Sequence, residues 1–193
     1  MAELRVGTSG FAYKPWKGPF YPAKLPDKDM LGYYGRQLAT VEINNTFYRM
    51  PTEKLLEKWA ATVPAGFQFA LKLNQRITHM QKLRDSEETL RRFLEVASVL
   101  AREEKMGPLL VQLPPSFRAD LPLLRDFLAL RPPAFRFALE VRHASWHTEE
   151  LYAALREAGC ALCLAETDKE SPPEVVTADF VYARLRRENY TPK

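Results

Sequence analysis

The 193 residues of the chain suffice for one domain with a sizeable hydrophobic core. Because 46% of the residues are hydrophobic and 27% are charged, and no apolar run reaches the length of a membrane span, the composition argues against a disordered chain and a membrane protein. The N-terminus carries no basic segment followed by an apolar stretch, so we expect a cytoplasmic protein, and the net charge of +4 permits an anionic partner without requiring one.

Short apolar runs alternate with helical segments along the chain, which is typical of parallel βαβ units. The N-terminal half is predicted to form a strand over 4–9, a helix over 27–38, a strand over 40–47, a helix from Thr52 to 61, a strand over 67–74 and a helix from Ser86 to 105. The C-terminal half is predicted to form a strand over 109–113, a helix over 121–130, a strand over 135–142, a helix from Thr148 to Gly159, and strands over 161–166 and 180–186. Thr52, Ser86 and Thr148 are the expected N-caps and Gly159 the expected C-cap.

The strand count sets the predicted architecture. Seven strands are one fewer than a closed barrel of eight strand–helix units requires. The sequence therefore predicts an α/β fold, namely a TIM-type (β/α) barrel that lacks its last strand–helix unit. Since no linker, low-complexity segment or internal repeat interrupts the pattern, we expect residues 1–193 to form a single domain that is incomplete at its C-terminus.

Polar and apolar residues alternate along several predicted strands. Phe69 and Leu71 share one face of the third strand with Lys72 on the other, and Val181 and Leu185 share the apolar face of the seventh strand. Such alternation indicates that the apolar face packs on helices while the other face looks into the barrel. The polar members gather near the C-terminal strand ends, where barrel enzymes place their chemistry. They are Glu42, Asn44, Lys72, Gln112, Glu140, Arg142, Glu166 and Arg184.

Several motifs follow one another in order over the whole chain. They are Gly7-Thr-Ser-Gly10, Gly18-Pro-Phe-Tyr-Pro22, Val41-Glu-Ile-Asn-Asn-Thr-Phe-Tyr-Arg49, Lys72 with Ile77-Thr-His79, Val111-Gln-Leu-Pro-Pro115, Glu140-Val-Arg-His143 with Ser145-Trp146, and Thr177-Ala-Asp-Phe-Val-Tyr182. Together they resemble the signature of the domain-of-unknown-function 72 (YecE-like) family. The resemblance implies a TIM-like barrel of uncharacterised activity, with a similarity to endonuclease IV-type barrels that bind DNA. Family members run on through a further helix and a final strand, and many carry Asp where this chain has Glu166.

Three inward-facing side chains are catalytic candidates: Glu42, Lys72 and Glu140. A glycoside hydrolase would use Glu42 and Glu140 as facing carboxylates, with Trp16 and Trp146 stacking on a sugar. Neighbouring cations would keep both acids ionised, which disfavours a general acid. A Schiff base at Lys72 is disfavoured because the same acids would keep the lysine protonated.

Recognition of an anion is the remaining expectation, because arginine binds phosphate bidentately. The ligand-binding candidates are Asn44, Gln112, Arg142, Trp146, Glu166, Arg184, Arg186 and Trp16. We expect a phosphorylated small molecule or a nucleic acid as the ligand and no membrane partner. The sequence names no cofactor, and with only three histidines it predicts no metal site. The sequence is compatible both with an enzyme and with a non-catalytic small-ligand binding barrel. It does not predict the oligomeric state.

Overall fold

A computed structural model of the protein describes residues 3–168, 171 and 173–187. These residues form strands that alternate with helices, so the expected α/β class is confirmed. By their contacts they divide into two compact units, of which the first comprises Met1–Asn74 with Glu88–Gly107 and the second Gln75–Glu87 with Pro108–Lys193, as far as these are described. The expectation of a single domain over 1–193 stays a prediction.

The first unit is built on three parallel strands in chain order, with β1 paired to β2 and β2 to β3. The strands are β1 (Gly7–Ser9), β2 (Thr40–Ile43) and β3 (Gln68–Lys72), and the helices are α1 (Met30–Gly35), α2 (Asn45–Tyr48), α3 (Glu53–Thr62) and α4 (Glu87–Arg102). The register places Ser9 beside Glu42. β1 approaches β2 so closely that a Cβ on Gly7 would lie 1.9 Å from the carbonyl oxygen of Thr40, which explains the glycine.

The helices of the first unit follow the sequence pattern. The Thr52 hydroxyl caps α3 by accepting from the Leu55 amide at 3.3 Å, as predicted. One stripe of α4 is buried, in agreement with its amphipathic sequence. Its buried members include Leu90, Phe93, Leu94, Ala97 and Leu100. Together with Val41, Phe69 and Leu71 of the strands, this stripe belongs to the hydrophobic core.

The strand predicted over 40–47 is wrong in its second half. β2 ends at Ile43, and α2 begins two residues later. The Thr46 hydroxyl donates to the carbonyl oxygens of Ile43 at 3.0 Å and Lys72 at 2.7 Å. These side-chain bonds hold the chain in a turn that a continued strand does not allow. Asn44 is therefore the residue before a short helix, and it is not an inward member of a strand.

The second unit contains most of β4 (Met106–Gln112), together with β5 (Phe137–Glu140), β6 (Ala161–Glu166), β7 (Tyr182–Leu185), α5 (Leu121–Ala129) and α6 (Glu149–Glu157). β5 pairs in parallel with β4 and β6, and β6 with β7. Thr148 caps α6 by accepting from the Leu151 amide at 3.3 Å. Gly159 follows the helix with a φ of 58°, as a C-cap glycine should.

The apolar face of β7 differs from the prediction. We expected its apolar members to pack on helices, but Leu185 is 71% exposed and Val181 is also exposed. Arg184, which the alternation places on the inward face, is buried at 8% exposure.

Candidate functional site

Glu140 lies at the centre of a buried polar cluster in the second unit. It ends β5, it is 2% exposed, and both of its carboxylate oxygens accept hydrogen bonds. Oε1 accepts from Gln112 Nε2 at 2.8 Å and from Arg142 Nε at 2.9 Å, and Oε2 accepts from Arg184 Nη1 at 2.6 Å. Gln112 is the register partner of Glu140 on β4. The strands thus bring together four residues that the sequence predicted as site members.

The surroundings of Glu140 determine its protonation. Burial by itself raises the pKa of a carboxyl group, but the Arg184 guanidinium and the hydrogen bonds from Gln112 and Arg142 outweigh it and hold the pKa of Glu140 below its usual range. Glu140 is therefore a carboxylate at neutral pH. This state suits a fixed anchor for cations and does not suit a general acid.

A cavity of about 440 Å³ opens beside this cluster. It is lined by Pro115, Glu140, Val141, Arg142, Ala165, Thr167 and Arg186. The Arg142 side chain is 34% exposed and uses Nε for its bond to Glu140, so its terminal nitrogens can donate elsewhere. Arg142 and Arg186 are both predicted ligand-binding residues, and both lie at this cavity.

Some cavity residues were not foreseen from the sequence. Pro115 and Thr167 each lie just beyond the end of a strand, and that position was the signal that could have identified them. Glu166, a predicted ligand residue, pairs with Arg187 at 2.7 Å, and its backbone carbonyl accepts from the Arg186 amide at 3.1 Å. Arg187 was also missed, because it follows the predicted strand over 180–186 and has the parity of the face expected to pack on helices.

The polar strand ends of the first unit carry two other candidates. Glu42 is buried, and its Oε1 accepts from the Ser9 hydroxyl at 2.7 Å. Lys72 ends β3, and its Nζ lies 4.1 Å from the centre of the Phe47 ring, which is a cation–π contact. Glu42 and Lys72 belong to the first unit and Glu140 to the second, so a catalytic centre that uses all three stays a prediction.

The two tryptophans predicted as ligand-binding residues have different surroundings. Trp146 is 1% exposed, and its Nε1 donates to the Phe117 carbonyl at 2.7 Å, so this side chain is packed inside its loop. Stacking on a ligand would require that loop to open. Trp16 is half-buried among the rings of Tyr13, Phe20 and Tyr21, at centroid distances of 4.7, 5.8 and 6.3 Å.

Within the described ranges, no group of three or more His, Cys, Asp or Glu side chains is arranged to hold a metal ion. Cys160 and Cys163 are buried thiols that form no disulfide, and burial raises the pKa of the Cys160 thiol to about 12. This thiol is therefore unreactive at neutral pH.

The family comparison agrees with the motifs along the chain. Residues 5–193 match the family described as "Protein of unknown function DUF72". The chain belongs to the DUF72 family. Among the similar proteins, UPF0759 protein YecE of Escherichia coli K12 is 33% identical over 111 residues, which cover 57% of this chain and 40% of YecE. UPF0759 protein YunF of Bacillus subtilis is 27% identical over 139 residues, covering 68% of this chain and 49% of YunF. The matches thus span less than half the length of these relatives.

Solved DUF72 structures share the fold. A DUF72 family protein from Thermotoga maritima superimposes with a TM-score of 0.80 at 28% identity, over 93% of this chain and 72% of that protein. A second one, from Enterococcus faecalis, gives a TM-score of 0.77 at 21% identity, over 94% of this chain and 70% of its own. Both support the predicted α/β class of the DUF72 chain. In the part of the chain that is described, no helix has the length and apolarity needed to cross a membrane.

Proposed function

We propose that this DUF72 protein binds a phosphate-bearing ligand, a phosphorylated small molecule or a nucleic acid, in the cavity of its second unit. One observation carries the proposal. Two guanidinium groups, those of Arg142 and Arg186, line a single cavity whose carboxylate, Glu140, already accepts from three side-chain donors. Because a guanidinium group can donate two parallel hydrogen bonds to two phosphate oxygens, an anion is the ligand best suited to a cavity lined by these arginines.

The support for Arg184 differs from that for Arg142. The sequence favoured Arg184 as a direct ligand contact, but this side chain is nearly inaccessible and is bonded to Glu140. It acts on the cavity through Glu140, whose charge it offsets. Arg142 is one-third exposed and is the better candidate for contact with the ligand.

The glycoside hydrolase alternative has weaker support than anion binding. That reaction requires one carboxyl group that holds a proton at the working pH. The pKa of Glu140 is lowered by its arginine neighbours despite its burial, so this residue does not meet the requirement.

Binding of the ligand is common to the two remaining hypotheses, an enzyme and a non-catalytic binding barrel. Phosphorus NMR of a bound phosphate ester, followed over hours, distinguishes them, since only an enzyme changes the spectrum.

Titration calorimetry with inorganic phosphate and single-stranded oligonucleotides tests the binding. We expect Arg142→Ala to weaken binding by about 1.5–3 kcal/mol, the range for hydrogen bonds to charged groups. Arg186→Ala should have an effect of similar size. Arg125→Ala is the matched control, because Arg125 is exposed in the same unit and pairs with Glu157 of the neighbouring helix. Equal affinity in the wild type and Arg142→Ala would refute the proposal.

A further inference from the structure

The charges at the cavity define the charge of its ligand. Glu140 and Arg184 form a close, almost fully buried ion pair, with 2.6 Å between Oε2 and Nη1, and their charges offset each other. Among the described residues that line the cavity, the guanidinium groups of Arg142 and Arg186 then leave two positive charges. A ligand with two negative charges would balance this wall.

The number of phosphate oxygens also separates the candidate ligands. A phosphomonoester carries about −1.5 to −2 charges at pH 7 and presents three strong acceptor oxygens. A phosphodiester of a nucleic-acid backbone carries one charge and two such oxygens. Two guanidinium groups, each able to donate two parallel hydrogen bonds, therefore match the monoester better.

The size and walls of the cavity favour a compact ligand. Its volume of about 440 Å³ is in the range of small-molecule sites. Pro115, Val141 and Ala165 supply apolar wall for the organic part of the ligand. A polynucleotide needs cations along an extended track. Arg187, the neighbour of Arg186, is already paired with Glu166 and is less suited to such a track.

From this charge balance we infer that the cavity selects the terminal phosphate of a small phosphomonoester over the diester phosphate of a nucleic acid. The inference rests on the proposed function and narrows its ligand class. Arg142 and Arg186 are the residues that determine this specificity.

Titration calorimetry of the full chain with two matched esters tests the selection. Phenyl phosphate and methyl phenyl phosphate present the same ring and differ in one negative charge and one terminal oxygen. We expect phenyl phosphate to bind at least about tenfold more tightly, the factor for losing one hydrogen bond to a charged group. A ten-residue oligothymidylate without terminal phosphates should bind no more tightly than the diester. Arg186→Ala should bring the two esters close to equal affinity.

The pH dependence provides a second readout. The second ionisation of a phosphomonoester lies near pH 6, so at pH 5 only about a tenth of it is dianionic. Binding of phenyl phosphate should weaken about tenfold between pH 7.5 and pH 5, whereas binding of the diester should stay constant. Equal affinity for both esters, with both weakened in Arg142→Ala, overturns this inference and leaves the proposed function intact. Tighter binding of the oligothymidylate also overturns the inference. Absence of binding by all three probes and by inorganic phosphate overturns both.

Discussion

The charged side chains at the polar strand ends of the two units have different neighbours among the contacts described above. In the first unit, Glu42 accepts a hydrogen bond from the neutral hydroxyl of Ser9, and the ammonium group of Lys72 lies over the Phe47 ring. In the second unit, Glu140 binds the guanidinium groups of two arginines as well as an amide. Both units place a buried glutamate close to the C-terminal end of a strand.

The difference shows what the type of cation contributes. Lysine carries a compact point charge, for which the face of an aromatic ring is a suitable neighbour. Arginine carries a planar fork that can bond a carboxylate on one edge and an incoming anion on another. For that reason the second unit is the better candidate for anion binding, although the sequence patterns of the two units look alike.

The largest expected effect is on the stability of the second unit. Glu140→Gln deprives the buried Arg184 guanidinium of its carboxylate, and we expect a loss of about 3–5 kcal/mol in the free energy of unfolding. The control is Glu157→Gln, which breaks the exposed pair with Arg125 and should cost less than about 1 kcal/mol. Urea unfolding followed by circular dichroism measures both variants. Similar losses for the two variants would contradict the buried-pair interpretation.

The same ion pair should make the stability of the protein depend on pH in the acidic range. The pKa of Glu140 in the folded protein lies below the ordinary value of 4.5, so the unfolded chain takes up this proton first. The stabilisation is thus complete above pH 4.5 and is lost as the pH falls through the lowered folded-state pKa. We expect the double variant Glu140→Gln with Arg184→Gln to lose less stability than the wild type between about pH 6 and about pH 3. Parallel urea midpoints in the two proteins over this range would rule out the contribution of Glu140.

The smallest expected effect is in the first unit. Ser9→Ala removes a single hydroxyl donor from Glu42, and we expect a cost of about 1 kcal/mol in the free energy of unfolding. Ser98→Ala is the control, because the Ser98 hydroxyl bonds only within its own helix, donating to the Glu95 carbonyl and accepting from the Arg102 guanidinium. A loss for Ser9→Ala as large as that for Glu140→Gln would remove the contrast between the two units.

The sequence by itself determined the local elements. The caps Thr52 and Thr148, the stripe of α4 and the exact span of β6 follow from spacing and from residue type, which act over a few neighbouring residues. The gathering of polar residues at strand ends was also visible, because the side chains of a strand alternate between its faces.

Only the tertiary structure decided which polar residues meet. Glu140 and Arg184 are 44 residues apart in the sequence. The alternation of polar and apolar residues predicts which face of its strand each side chain occupies, but it does not predict the partner of that side chain. The buried guanidinium of Arg184 donates a hydrogen bond to Glu140, whereas the side chain of Leu185, the next residue on the strand, is exposed. Trp146 is buried with its indole N–H donating to the Phe117 carbonyl. Asn44 lies outside the strand predicted for it, next to the turn in which the Thr46 hydroxyl donates to the Ile43 carbonyl. Each of these outcomes depends on a hydrogen-bonding or packing partner, and local sequence patterns do not specify partners.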